Sequence, residues 1–127
     1  MKLLLKITAI FEGLVGIGLL VAPGLALSIF LNAPLETAAG LFVARLCGAA
    51  IVTLAICCWK ASSFELRQAG ISVVTAMLFY NFAAAAVFVY GAVRLGLQSP
   101  LIWPAIVAHV VLGAWCALLV WVSLRKG

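Results

Sequence analysis

Five residues in this sequence have side chains that could do chemistry inside runs that otherwise avoid water. Glu12 lies in FEGLVGIG, Arg45 in ARLCGAA, Tyr80 and Asn81 in LFYNF, and His109 in WPAIVAHVV. A charge in the middle of a membrane-spanning helix costs roughly 2.5–3.5 kcal/mol on insertion scales, so such a residue faces the bundle interior and has a partner. Glu12 and Arg45 are the only two charges well inside apolar runs. At about 1.5 Å of rise per residue, Glu12 lies about 15 Å below the outer end of its helix and Arg45 about 13 Å below the outer end of the next. The expectation is a Glu12–Arg45 ion pair. Asn81, about 18 Å deep, and His109, about 13 Å deep, complete a polar layer at the same level. Tyr80 adjoins Asn81 but stands about 100° around the helix, so the spacing predicts that only one of the two reaches the centre. An imidazole has an ordinary pKa near 6.5 and can both donate and accept, which makes His109 the candidate bridge between Asn81 and the ion pair. Small residues flank the layer: Gly16, Gly48, Ala84, Ala85 and Gly113. They let helices approach closely enough for polar tips to meet.

Other chemistry is weak. Cys47, Cys57, Cys58 and Cys116 all fall in apolar runs, and the adjacent pair Cys57–Cys58 is not a C-x-x-C motif. The three on the second span lie roughly 120° or more from Arg45, and Cys116 sits about 10 Å deeper than His109. They read as small packing residues, and no metal site is expected. The chain has one histidine, so a haem would need a second ligand from elsewhere. No cofactor and no catalytic residue is expected, and no G-x-S-x-G sequence occurs.

The elements that must position these residues follow from composition. Of 127 residues 68% are hydrophobic and only 9% charged, too few charges for a soluble surface. The pattern predicts an all-α integral membrane four-helix bundle in one domain, 1–127. Its spans are Leu3 to Ala22, Thr37 to Trp59, Ala69 to Val93 and Leu101 to Leu124. Pro23-Gly24 stops the first. PGLALSIFLNAP, residues 23–34, is apolar but too short to cross, and predicts a short interfacial helix on the outer side. Ser62-Ser63-Phe64-Glu65 has the form of a capping box for the third span, and Ser99-Pro100 of a cap and first residue for the fourth. Pro104 predicts a bend near His109. A cleaved signal peptide is the rival reading of the N-terminus. The apolar run is too long for one, Glu12 interrupts it, and no good A-x-A site follows at the right distance.

The net charge of +5 does not point to nucleic acid, because the basic residues flank apolar runs rather than forming a patch. Lys2, Lys6, Lys60, Arg67, Arg125 and Lys126 all fall on one side if both termini are cytoplasmic, leaving Arg94 outside. Trp59 and Trp121 then mark the inner boundary, and Trp103 and Tyr90 the outer. The expectation is a multi-pass protein of the inner (cytoplasmic) membrane, its partners the lipid bilayer and a second protein or further copies of itself.

FEGLVGIGLLVAPGLALSIFL, with an acidic residue in the first span, a Pro-Gly break and a short apolar follow-on, resembles the start of small bacterial DoxX-like four-helix membrane proteins. ARLCGAAIVTLAICCW, LFYNF and WPAIVAHVVLGAW look like their later spans. Several members are linked to larger oxidoreductase systems, so the resemblance implies an accessory-subunit role and names no catalytic residue. The leading expectation is a non-catalytic accessory or oligomer-forming subunit. A binder or transporter of a small solute, a proton or a lipid-like ligand, using the polar cluster, is the alternative, and a membrane subunit of a redox enzyme comes third.

Overall fold

The computed structural model describes residues 1–32, 37–63 and 67–125. The described residues form five helices: α1 (Lys2–Val21), α2 (Pro23–Leu31), α3 (Ala38–Ser63), α4 (Arg67–Arg94) and α5 (Ile102–Arg125). Four of them carry stretches long and apolar enough to cross a membrane: Lys2–Val21, Ala38–Ser63, Ala69–Arg94 and Ile102–Arg125. The fold is the expected all-α four-helix membrane bundle with a short helix after the first span.

Local chemistry sets the boundaries. Pro23 has no N–H and its ring forces the preceding residue out of the helical region. Ala22 accordingly turns the chain at φ −134°, and Pro23 starts α2 as its first residue. Asn32 ends α2 at φ 50°, a left-handed position that asparagine tolerates. At the start of α3, the Thr37 hydroxyl accepts a hydrogen bond from Gly40 N–H at 3.1 Å and caps the helix. After α4, Gly96 turns the chain at φ 65°. Ser99 Oγ accepts from Leu101 N–H at 3.2 Å just before α5.

One boundary expectation lies partly outside the described residues and another is corrected. Ser62 and Ser63 are the last residues of α3, and both hydroxyls donate back to Trp59 O, at 2.6 and 3.3 Å. Phe64 and Glu65, the rest of the expected capping box, lie outside the described residues, as do Ala33 and Pro34 after α2 and Lys126 at the C-terminus. Pro104 is the third residue of α5. Its N–H position is among those that have no intrahelical acceptor in any helix, so it removes no helical bond and the reason for a bend disappears.

The helices pack as two antiparallel pairs, α1 with α3 and α4 with α5, and approach less closely between pairs. In lipid no hydrophobic force draws helices together, so close packing must supply the attraction. Gly16 and Gly48 provide it for the first pair. A Cβ on Gly48 would lie 2.8 Å from both Gly16 O and Leu20 N, and one on Gly16 would lie 2.9 Å from Val52 N. The two backbones touch there with no room for a side chain. Gly113 does the same more gently in the second pair, facing the Phe82 ring and Asn81.

The bundle is unequal along its length. Leu4, Leu5, Cys58, Val74, Met77 and Cys116 are buried together where α1 and α4 begin and α3 and α5 end. That half is a solid apolar plug, in which Cys58 and Cys116 serve as small packing residues. The other half holds a cavity.

Candidate functional site

The site sits where the plug ends, on the seam between the two helix pairs. Glu12, Asn81 and His109 are buried there at 1%, 0% and 5% exposure. Each comes from a different helix, α1, α4 and α5, at nearly equal depth, as expected from the residue counts.

The hydrogen bonds fix one another in order. Asn81 Nδ2 donates to Met77 O at 2.8 Å, one turn back on α4. A backbone carbonyl can only accept, so the amide nitrogen must face it and Oδ1 must face away. Oδ1 lies 3.0 Å from His109 Nδ1. An amide oxygen can only accept, so the imidazole proton sits on Nδ1 and donates to it. The other ring nitrogen, Nε2, has no hydrogen-bond partner among the described residues and is left with a free lone pair. A main-chain carbonyl on one helix thus sets the tautomer of a side chain on another.

Glu12 is only half satisfied. Tyr80 Oη donates to Glu12 Oε2 at 2.8 Å, while the buried Oε1 has no hydrogen-bond partner among the described residues. A buried polar atom left without a partner costs about 1–3 kcal/mol, and native structures hold few of them.

Tyr80 and Asn81 therefore both reach the polar layer, against the expectation that only one could. Asn81 points directly at α5, whereas the long phenol of Tyr80 reaches sideways across the seam to α1. Its ring also meets His109 edge to face at 5.8 Å.

Arg45 does not take part. It is exposed on α3, and the expected Glu12–Arg45 ion pair is absent. The depth was right and the direction wrong. The inward seam of α3 runs through Ala44, Gly48, Ala55 and Cys58, and Arg45 stands about 100° around the helix from Ala44.

Above the polar layer is a cavity of about 140 Å³. Glu12, Tyr80 and His109 form its polar end. Phe11 and Phe88 wall it and bracket the imidazole: Phe88 stacks on His109 at 5.7 Å and 22°, and Phe11 meets it edge-on at 6.2 Å. Leu27, Phe30 and Leu31 of α2 cover the far end. Ser99 Oγ donates to Ile29 O at 3.3 Å and ties that cover to the α4–α5 connection. A wholly apolar groove between α1, α2 and α3 shares Leu19, Leu27 and Leu31 with the cavity and continues it sideways. Phe11 and Phe88 escaped the sequence reading. Phe88 had a signal, since it stands seven residues after Asn81 and so on the same helix face.

Among the described residues no group of three His, Cys, Asp or Glu could hold a metal ion, and all four cysteines are free thiols. The arrangement offers two hydrogen-bond acceptors, an apolar chamber and aromatic faces. Fold and site together define a multi-pass helical membrane protein with a half-satisfied carboxyl beneath an internal chamber. Comparison with known proteins adds no relative: no protein-family model, no curated protein and no solved structure matches the chain.

Proposed function

We propose that this protein is a non-catalytic membrane protein that binds a small amphipathic solute in the chamber above Glu12. The supporting observation is Glu12 Oε1, a buried oxygen with no partner at the end of a 140 Å³ cavity. A purely structural network would gain by satisfying that atom, whereas a ligand site leaves it for the ligand. The chamber is close in size to the engineered apolar cavity of about 150 Å³ that takes up benzene. In the proposed topology both termini are cytoplasmic in the inner membrane, so the plug faces the cytoplasm and the chamber with its α2 cover faces outward. The exposed Lys2, Lys6, Lys60 and Arg125 at the plug end support that orientation.

The test is cavity filling. Ala105 is buried and lines the chamber. Benzyl alcohol, one ring with one hydroxyl, should bind wild-type protein in lipid nanodiscs saturably above empty nanodiscs. Ala105→Phe puts a ring into the same space and should abolish that binding while the protein stays folded. Equal uptake by both proteins would show that the solute enters the lipid and not the chamber.

A second reading, assembly with a protein partner or a second copy, has one observation of its own. Arg45 lies about 10 Å along α3 from its first residue, exposed on an apolar surface, where an uncovered charge is costly. A partner that supplies a polar group there relieves the cost. Particle mass in detergent for wild type and Arg45→Leu tests it: a larger wild-type particle that Arg45→Leu reduces supports assembly, and monomers in both remove it.

A further inference from the structure

We propose that the solute is a small organic cation, an ammonium head on an apolar body. This rests on the reading of the chamber as a binding site and names the ligand class. Three independent features of the chamber converge on it.

The first is the sign of its polar end. The hydrogen-bond chain from Met77 O through Asn81 leaves His109 Nε2 as an acceptor. Tyr80 Oη, the one hydroxyl lining the chamber, is already committed to Glu12 Oε2. With Glu12 ionised, what remains for a ligand is Glu12 Oε1 and Nε2, two acceptors and no donor. A ligand carrying two or three N–H donors on one atom fits that pair. A carboxylate or phosphate ligand, which offers only acceptors, does not.

The second is charge. Among the described residues no Lys or Arg lines the chamber, and the one cation expected to neutralise Glu12, Arg45, faces away on α3. The site holds an acidic group without a counter-charge, and a buried carboxyl ionises only where a partner charge is supplied. A cationic ligand supplies it. Hydrogen bonds between charged groups are roughly twice as strong as neutral ones.

The third is the wall. Phe11, Tyr80 and Phe88 present rings around the polar end. Aromatic faces attract cations, and more strongly where water is excluded. The apolar groove that continues past Leu19, Leu27 and Leu31 gives the ligand's apolar body somewhere to extend.

The test uses three probes of one shape in phosphatidylcholine nanodiscs, with empty nanodiscs as the blank: benzylamine, benzyl alcohol and benzoate. Wild type should bind benzylamine at least about tenfold more tightly than benzyl alcohol, equivalent to about 1.4 kcal/mol, and should not bind benzoate. Glu12→Gln should weaken benzylamine far more than benzyl alcohol and so erase the preference for the amine. Glu12→Met replaces it should the glutamine variant fail to give a wild-type thermal transition. Phe88→Leu should weaken benzylamine more than benzyl alcohol. Benzyl alcohol binding as tightly as benzylamine would overturn the cation assignment and leave the chamber a site for neutral donors. An amine preference that survives in Glu12→Gln would overturn it too, by placing the cation elsewhere. Failure of every probe to bind wild type would overturn the binding-site reading itself.

Discussion

Replacing Glu12 by methionine should make the protein more stable, not less. The two side chains are close in length and volume, so the plug and the seam stay packed. The substitution removes Oε1, which is buried without a partner, and with it a cost of about 1–3 kcal/mol. It also takes the acceptor from Tyr80 Oη, which donates to Glu12 Oε2 at 2.8 Å. Hydrogen bonds inside membrane bundles are worth about 0.6 kcal/mol on average, and Tyr80 is only half-buried. The relief therefore exceeds the loss, leaving a net gain of about 0.5–2 kcal/mol. For a chain of this length 1 kcal/mol moves the midpoint by roughly 3–5 °C, so Tm should rise by about 2–10 °C. Tyr80→Phe alone leaves both carboxyl oxygens unpaired and should lose about 1 kcal/mol. The double variant, Glu12→Met with Tyr80→Phe, removes the carboxyl and the hydroxyl that donated to it together and should be the most stable of the four. Thermal unfolding of all four proteins in one detergent reads the order directly. A functional residue carries such a stability cost because the ligand needs it. A Glu12→Met protein that melts below wild type would refute the reasoning and make Glu12 a structural element of the bundle.

Three further outcomes follow from the packing and the topology. Gly48→Ala places a Cβ 2.8 Å from Gly16 O and Leu20 N, so it should cost about 1–3 kcal/mol through separation of α1 from α3, read as a lower Tm; an unchanged Tm would mean that the two helices do not cross there. Arg45→Leu should not alter the effect of Glu12→Met, since the two side chains are not paired; a double-mutant cycle deviating from additivity by more than about 0.5 kcal/mol would restore the ion pair. Reporter fusions after Lys60 and at Gly127 should read cytoplasmic and one after Gln98 external, and an external signal at Gly127 would overturn the proposed orientation.

Periodicity and composition carried most of the fold. Runs of about 20 apolar residues fix helices because lipid offers no partner for unpaired backbone groups, and Pro23 marks the break between α1 and α2. Depth was legible too, since rise per residue is constant, and it brought Glu12, Asn81 and His109 to one level. Azimuth was less legible. A buried carboxyl favours a cationic partner, which points Arg45 inward from the sequence. The small residues Ala44, Gly48 and Ala55 already marked the inward face of α3, and Arg45 lies off it. The helical angle between Tyr80 and Asn81 excludes a shared direction but not a shared layer, because a phenol is long enough to reach across a seam that two helix pairs leave open. The chamber itself has no sequence signature, because a void is the outcome of packing and not of any residue.

The most direct test of a ligand site beneath α2 uses the fact that the chain has one histidine. With ¹⁵N-labelled histidine, every imidazole signal from the protein belongs to His109. In nanodiscs without added solute, the spectrum should show the proton on Nδ1, held by Asn81 Oδ1 at 3.0 Å, and a bare Nε2. Titration with benzylamine should move the Nε2 signal saturably as an N–H donor engages it, while the Nδ1 signal stays in place. The same titration of Ala105→Phe should move neither. An Nε2 signal that does not respond in wild type at concentrations that saturate the membrane would contradict the account, because the imidazole would then face no chamber that a solute can enter.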